Sequence, residues 1–116
     1  MKKLQHCVYV LCSLKDNNLY IGYTTNLHER LTSHISGNSQ TTKFRRPFIL
    51  LFCEYFLSKH DAVRREKYFK TTVGKRMLKI LLKDSLKEID ENYKNKVKKL
   101  REIDKIMNLS KKTSKI

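Results

Sequence analysis

The feature that most restricts the fold is a pair of short runs, Cys7 to Cys12 and Leu19 to Thr24, rich in β-branched and aromatic residues and separated by Asp16-Asn17-Asn18. Turn-forming residues between two such runs read as a β-hairpin. Asn26 then precedes Leu27 with Glu29 three positions on, a helix-start signature, and Gly37 supplies a stop, so a first helix is predicted over about Leu27 to Ser36. A polar basic loop, Asn38 to Arg46, ends at the single proline, Pro47. The run that follows, Phe48 to Phe56, is apolar on both faces and is expected to be the central, buried strand. Ser58 with Asp61 three positions on opens a second helix reaching about Val73, which Gly74 separates from a third over Lys75 to Lys83. The predicted order is β-β-α-β-α-α. It is an α+β fold: a small, three-stranded, mainly antiparallel sheet flanked by helices.

Composition narrows the function. The 116 residues carry 26 Lys and Arg against 11 Asp and Glu, a net charge of +15, which attracts phosphates or anionic lipid. The longest apolar run, Phe48 to Cys53, is far short of the roughly 20 residues a membrane helix needs. The opening Met1-Lys2-Lys3-Leu4-Gln5-His6 has the charge of a signal peptide, but Gln5 and His6 break its apolar part and no cleavage site follows. An uncleaved, cytoplasmic protein is expected. Cys7, Cys12 and Cys53 are odd in number and sit in strand-like stretches, while His6, His28, His34 and His60 lack zinc-ligand spacing. Buried thiols are expected, with neither a disulfide scaffold nor a structural zinc site.

Two regions differ in texture. Residues 1–84 carry 16 basic and 6 acidic side chains and hold the predicted sheet and helices. Residues 85–116 have no Gly or Pro and place Leu86, Ile89, Tyr93, Leu100, Ile103 and Met107 near a three-four rhythm, the pattern of a basic amphipathic helix. Lys96 interrupts that seam, and Ser110 to Ile116 reads as a frayed tail. Such a helix can pack one stripe on the domain, extend a nucleic-acid footprint, or pair with a second copy.

Chemistry concentrates on the two longer helices. On the second, Ala62, Glu66, Phe69 and Val73 fall within one narrow stripe, so a carboxylate stands among apolar neighbours. Left ionised and alone there it would cost several kcal/mol, so it must meet a cation, a metal, a hydrogen-bond network or the mouth of a cleft. A structural ion pair with a neighbouring arginine is the plainer alternative. On the first helix Leu27, Leu31 and Ile35 form the apolar row, with Arg30 and His34 along its edge. Arginine there can hold a phosphate through two parallel hydrogen bonds. His34 is either a packing histidine or a phosphate contact or proton shuttle. Tyr9 and Tyr20 lie in the hairpin strands, and Gly22 inside the second strand marks a close approach of ligand or backbone.

Cys7-Val8-Tyr9, Tyr20-Ile21-Gly22, Arg30 and Glu66, each on the expected type of element, resemble the GIY-YIG nuclease family over about residues 6–83. Tyr20-Ile21-Gly22-Tyr23-Thr24-Thr25-Asn26-Leu27 through Arg30-Leu31 and His34 is similar in particular to its small stand-alone bacterial members. Cys7 replaces the first glycine, and the late asparagine of the family has no counterpart, Lys75 and Lys79 falling in that region. The resemblance implies a phosphodiesterase using one Mg²⁺ or Mn²⁺ held by Glu66. It further implies that Arg30 clamps the scissile phosphate, that Tyr9 orients or deprotonates the attacking water, and that Tyr20 binds a phosphate oxygen or shares that role. His34 and Thr24 become further phosphate contacts, and Gly22 lets the strand approach the substrate. Lys43, Arg45, Arg46, Arg64 and Arg65 would then hold flanking phosphates, giving affinity with little sequence information.

The expected partner is DNA, with structured RNA as an alternative: branched, nicked or damaged duplex of the kind DNA repair handles. With no recognition domain in view, weak sequence specificity or a targeting partner protein follows. A non-catalytic nucleic-acid-binding module on the same fold is the competing class. A basic peripheral-membrane protein fits less well, because the tail offers Tyr93 alone as a bulky aromatic.

Overall fold

The computed structural model describes residues 2–39 and 42–113, without the side chains of 93–97 and 110–113. The chain falls into two units, Met1–Lys83 and Asp84–Ile116. The first opens with β1 (His6–Ser13) and β2 (Leu19–Thr24), an antiparallel pair that sets Tyr9 opposite Gly22 and Leu11 opposite Tyr20. At the tip between them Asn18 N–H donates to Asp16 Oδ1 at 2.9 Å, and Asn17 takes a φ of 66°, a left-handed conformation that asparagine tolerates.

Helix α1 (Leu27–Ser36) is capped as the sequence predicts. Glu29 N–H donates to Asn26 Oδ1 at 3.1 Å, and Asn26 Nδ2 donates back to Glu29 Oε2 at 3.3 Å. Gly37 closes it at φ 79°, its N–H bonded to the Ser33 carbonyl. The buried residue of α1 is His34, whereas Ile35 is 70% exposed, so the apolar row expected through Ile35 is displaced by one position. Buried partners for the imidazole, described below, account for the shift.

Strand β3 (Phe48–Phe56) returns antiparallel along the other side of β1, giving the order β2-β1-β3. This corrects the expectation that Phe48–Phe56 is central: β1 is, and it is buried from Cys7 to Ser13, while β3 is an edge. The hairpin already occupies one side of β1, and β3 fills the other. Its two-sided apolar character reflects a helix over each face. Cys7, Tyr9 and Leu11 share one face of β1, against which Tyr20, Leu27, Leu31, Phe48 and Cys53 pack. On the other face Phe52, opposite Val10, meets Phe69 of α2 (Lys59–Phe69) edge-on at 6.2 Å. Helix α1 therefore covers one face and α2 the other.

Helix α2 stops at Phe69 rather than near Val73, and α3 (Thr72–Leu81) starts after Thr71, whose Oγ1 accepts the Gly74 N–H at 3.0 Å. Gly74 is thus not a separator. It lies in the first turn of α3, where a Cβ would sit 2.6 Å from the Tyr68 carbonyl carbon and 2.8 Å from Phe69 Cα. Val73 is exposed, so the apolar stripe of α2 ends with Phe69. Neither Cys7, Cys12 nor Cys53 is in a disulfide, and the first two are buried.

Helix α4 (Lys83–Ile89) leads into the second unit, where a π-helical turn, Asp90–Lys94, precedes α5 (Asn95–Thr113). The predicted continuous helix is thus interrupted by a π-helical turn at Asp90–Lys94, just ahead of the break in its apolar rhythm at Lys96. Leu100, Ile103 and Met107 are exposed, whereas Ile89 is buried. The side chains of Tyr93 and Lys96, and the end of the tail expected to fray, lie outside the described residues. Among the described residues no helix is long and apolar enough to cross a membrane.

Candidate active site

Tyr9 stands on the central strand directly across from Gly22, and this pairing shapes the site. A Cβ at Gly22 would fall on the Tyr9 Cζ and hydroxyl oxygen, so the phenol lies over the backbone of β2 in the space a side chain would fill. Tyr20 and His34 complete an aromatic triangle, with ring centroids 6.3 Å apart for Tyr9 and Tyr20, 5.9 Å for Tyr9 and His34, and 5.1 Å for Tyr20 and His34. The Tyr9 hydroxyl is 3.1 Å from His34 Nε2, and His34 Nδ1 is 2.7 Å from Thr42 Oγ1. Thr42 is fully buried. Sequence reasoning misses it, because it stands in a polar loop with no periodicity to mark it.

Arg30 and Glu66 reach the same hydroxyl electrostatically. Burial pushes Tyr9 well above the ordinary phenol range, Tyr20 pushes the same way, Arg30 pulls it back, and Glu66 raises it again. Burial, and secondarily Arg30, hold His34 below the usual imidazole value. Tyr9, Tyr20 and His34 thus pack together, and Arg30 and Glu66 each bias the Tyr9 hydroxyl electrostatically, although α1 and α2 cover opposite faces of the sheet. Arg30 also lines a cleft of about 300 Å³ with Thr24, Thr25, Asn26, Glu29 and Ser33. There Thr24 Oγ1 donates to the Asn26 carbonyl at 3.1 Å and accepts the Asn26 N–H at 3.0 Å, fixing the entry into α1. Among the described residues Arg30 is in no ion pair.

Glu66 is 19% exposed, and its Oε2 lies 3.7 Å from Lys70 Nζ, a longer contact than a charge-assisted hydrogen bond. The arginine pairing considered from the sequence belongs instead to the adjacent residue: Arg65 Nε donates to Glu54 Oε1 at 2.9 Å, with its guanidinium 4.3 Å from the Phe69 ring centroid. Among the described residues no group of three or more His, Cys, Asp or Glu side chains converges. A single largely buried carboxylate suits a hard cation that keeps most of its own water, such as Mg²⁺ or Mn²⁺, and not one that demands several protein ligands.

The other expected cations all have intramolecular partners. Arg64 pairs with Asp61 at 3.0 Å and Arg45 with Asp16 at 3.2 Å. Arg46 donates to the carbonyls of Lys43 at 3.0 Å and Ile35 at 3.3 Å, and Lys43 Nζ lies 4.8 Å from the Phe44 ring centroid.

Comparison with known proteins identifies the family. The GIY-YIG catalytic domain family matches residues 5–79. A UPF0213 protein of Staphylococcus haemolyticus is 44% identical over 78 residues, covering 66% of this chain and 94% of the relative. UPF0213 protein YazA of Bacillus subtilis is 42% identical over 77 residues, covering 66% of this chain and 77% of the relative. The solution structure of a UPF0213 protein from Bacillus halodurans is 39% identical, covering 66% of this chain and 83% of that one, with a TM-score of 0.43. With the family's pattern spanning both hairpin strands, α1 and α2, this chain belongs to the GIY-YIG catalytic domain family.

Proposed function

We propose that the chain is a divalent-metal-dependent endonuclease that hydrolyses DNA phosphodiester bonds, acting on branched, nicked or damaged duplex. The observation that carries this reading is the Glu66 carboxylate, 19% exposed and facing the exposed ammonium of Lys70 at 3.7 Å, in electrostatic reach of the Tyr9 hydroxyl. A protein that only binds nucleic acid gains nothing from desolvating an anion beside its phosphate site, which repels the ligand.

In this reading Glu66 holds Mg²⁺ or Mn²⁺, which when bound supplies positive charge for the leaving oxygen. Arg30, unpaired among the described residues, binds the scissile phosphate and offsets charge that accumulates in the transition state. Tyr20 orients a non-bridging oxygen. Tyr9 keeps its proton, because burial disfavours the phenolate. It therefore acts as a relay. As the hydroxyl oxygen accepts a proton from the attacking water, the phenol proton passes to His34 Nε2, 3.1 Å away. His34 is held below its usual pKa and so is neutral and able to accept, in the tautomer whose Nδ1–H donates to Thr42 Oγ1. The basic side chains of Lys43, Arg45, Arg46, Arg64 and Arg65 add phosphate contacts to the extent that their intramolecular partners release them.

The test is cleavage of supercoiled plasmid, branched DNA and structured RNA with Mg²⁺, Mn²⁺ or EDTA. Cleavage is expected with metal and not with EDTA; Glu66→Gln abolishes it, and Arg30→Ala slows it by about 10²–10³-fold. Undiminished cleavage by Glu66→Gln overturns the assignment. Binding without cleavage of any substrate favours the non-catalytic alternative.

A further inference from the structure

We propose that Phe44 is a stacking platform for an unpaired nucleobase, set beside the active site to select DNA with an unpaired nucleotide. Phe44 is 73% exposed, yet it rises from a short 3₁₀ turn, Lys43–Arg45, that is tied down from several directions. Three successive carbonyls of that turn accept side-chain hydrogen bonds: Lys43 from Arg46 Nε at 3.0 Å, Phe44 from Lys15 Nζ at 2.8 Å, and Arg45 from Ser13 Oγ at 2.6 Å. Thr42, immediately before the turn, is buried against His34. Phe44 and Ile35, 73% and 70% exposed, line one hollow, and an exposed apolar patch of this kind marks a surface for a partner.

The surroundings specify the partner. Phe44 lines an open hollow of about 510 Å³ with Ile35, Pro47, Phe48, Lys15, Lys43 and Arg46. The lining is aromatic and aliphatic with three cations and no acid. Lys43 Nζ lies over the Phe44 ring, 4.8 Å from its centroid, which polarises the ring and sets a cation beside the surface a nucleobase would take. An apolar flat surface ringed by cations matches a nucleobase with its flanking phosphates; an acidic peptide would satisfy the cations and waste the ring. The hollow is linked to the candidate active site through packed side chains. Phe48 lines it and packs edge-on against His34 at 6.2 Å, and His34 meets the Tyr9 hydroxyl. In an intact duplex both faces of each base are stacked, so a platform of this kind gains from bulges, flaps, junctions or frayed ends.

This inference rests on the reading of the chain as DNA-directed, and not on cleavage. Its test is equilibrium binding of the full chain, in EDTA, to three fluorescent oligonucleotides: a perfect duplex, the same duplex with one bulged 2-aminopurine, and the single strand. The expected result is tighter binding of the bulged and single-stranded probes, with quenching of the 2-aminopurine on binding. Phe44→Ala should weaken those two by about tenfold, equivalent to about 1.4 kcal/mol, while leaving the perfect duplex within about twofold. Phe44→Trp should restore the preference, and Phe44→Leu should not. Equal weakening on all three probes, or no weakening on any, overturns the proposal, as does rescue by leucine, which indicates a merely apolar contact. If the base preference depends on Phe44 but no substrate is ever cut, the platform stands and the nuclease reading falls.

Discussion

Replacing Gly22 by alanine tests the placement of the Tyr9 phenol over β2, on which the site depends. The added Cβ would lie 2.7 Å from Tyr9 Cε1, about 0.7 Å inside the 3.4 Å at which ordinary contact begins, and closer still to Cζ and the hydroxyl. The ring cannot simply swing aside, because Tyr20 and His34 close the space around it with centroids at 6.3 and 5.9 Å. Overpacking of this kind costs about 1–3 kcal/mol. Pulling the buried hydroxyl off His34 adds about 1–3 kcal/mol. A total of about 2–6 kcal/mol corresponds to a fall in Tm of roughly 8 °C or more for a domain of this size. Thermal unfolding followed by circular dichroism measures it, in a cycle with Tyr9→Ala. In the Tyr9→Ala background the clash is gone, so adding Gly22→Ala should cost less than about 0.5 kcal/mol, with the difference appearing as coupling energy. A Tm within about 2 °C of the parent for Gly22→Ala, or equal costs in the two backgrounds, refutes the overlap of ring and strand.

Other consequences are simpler to measure. His34 is protonated less readily in the folded chain than in the unfolded one, so its contribution to stability is fully present above about pH 6.5 and is lost as pH falls through the folded value. Tm measured between pH 7.5 and 5 should drop less steeply for His34→Gln than for the parent; identical slopes would remove the histidine from the buried network. Arg65→Ala, which strands Glu54 and uncovers Phe69, should lower stability by about 1–3 kcal/mol, whereas Arg64→Ala at an exposed pair should stay within about 0.5 kcal/mol in urea unfolding. Burial pushes the Cys7 thiol up to about 11, so at pH 8 its thiolate fraction is on the order of 10⁻³. A thiol reagent should label half-buried Cys53 first and Cys7 only on unfolding, and early modification at Cys7 by peptide mapping would contradict its burial.

Local signals were read correctly where local physics decides. The Asn26–Glu29 cap and the Gly37 stop each depend on groups within a few residues, and the hairpin on one turn. Strand rank did not follow, because Cys7–Cys12 and Phe48–Phe56 are both two-sided apolar runs, and which one is central depends on the path of the chain through α1. The burial of His34 in place of Ile35 was equally hidden. An imidazole can replace an aliphatic side chain in a core only when distant partners satisfy it, and these are Tyr9 and Thr42, 25 and 8 residues away. Gly74 looked like punctuation because glycine usually is; its reason is the closeness of α3 to the end of α2, which no local pattern announces. For the candidate site, the order of motifs nominates Tyr9, Tyr20, Arg30 and Glu66, while the partners of Arg45, Arg46 and Arg65 emerged only in three dimensions.

The placing of Tyr9 on the middle strand divides the candidate site into an anvil and a set of fingers. The phenol is buried among Gly22, Tyr20 and His34, whereas Arg30 and Lys70 stand exposed on helices. In the nuclease reading proposed above, adjustment to differently shaped backbones therefore falls to the fingers. Inherited drift in preference should accumulate in the Phe44 turn, while the anvil stays fixed as long as the domain folds.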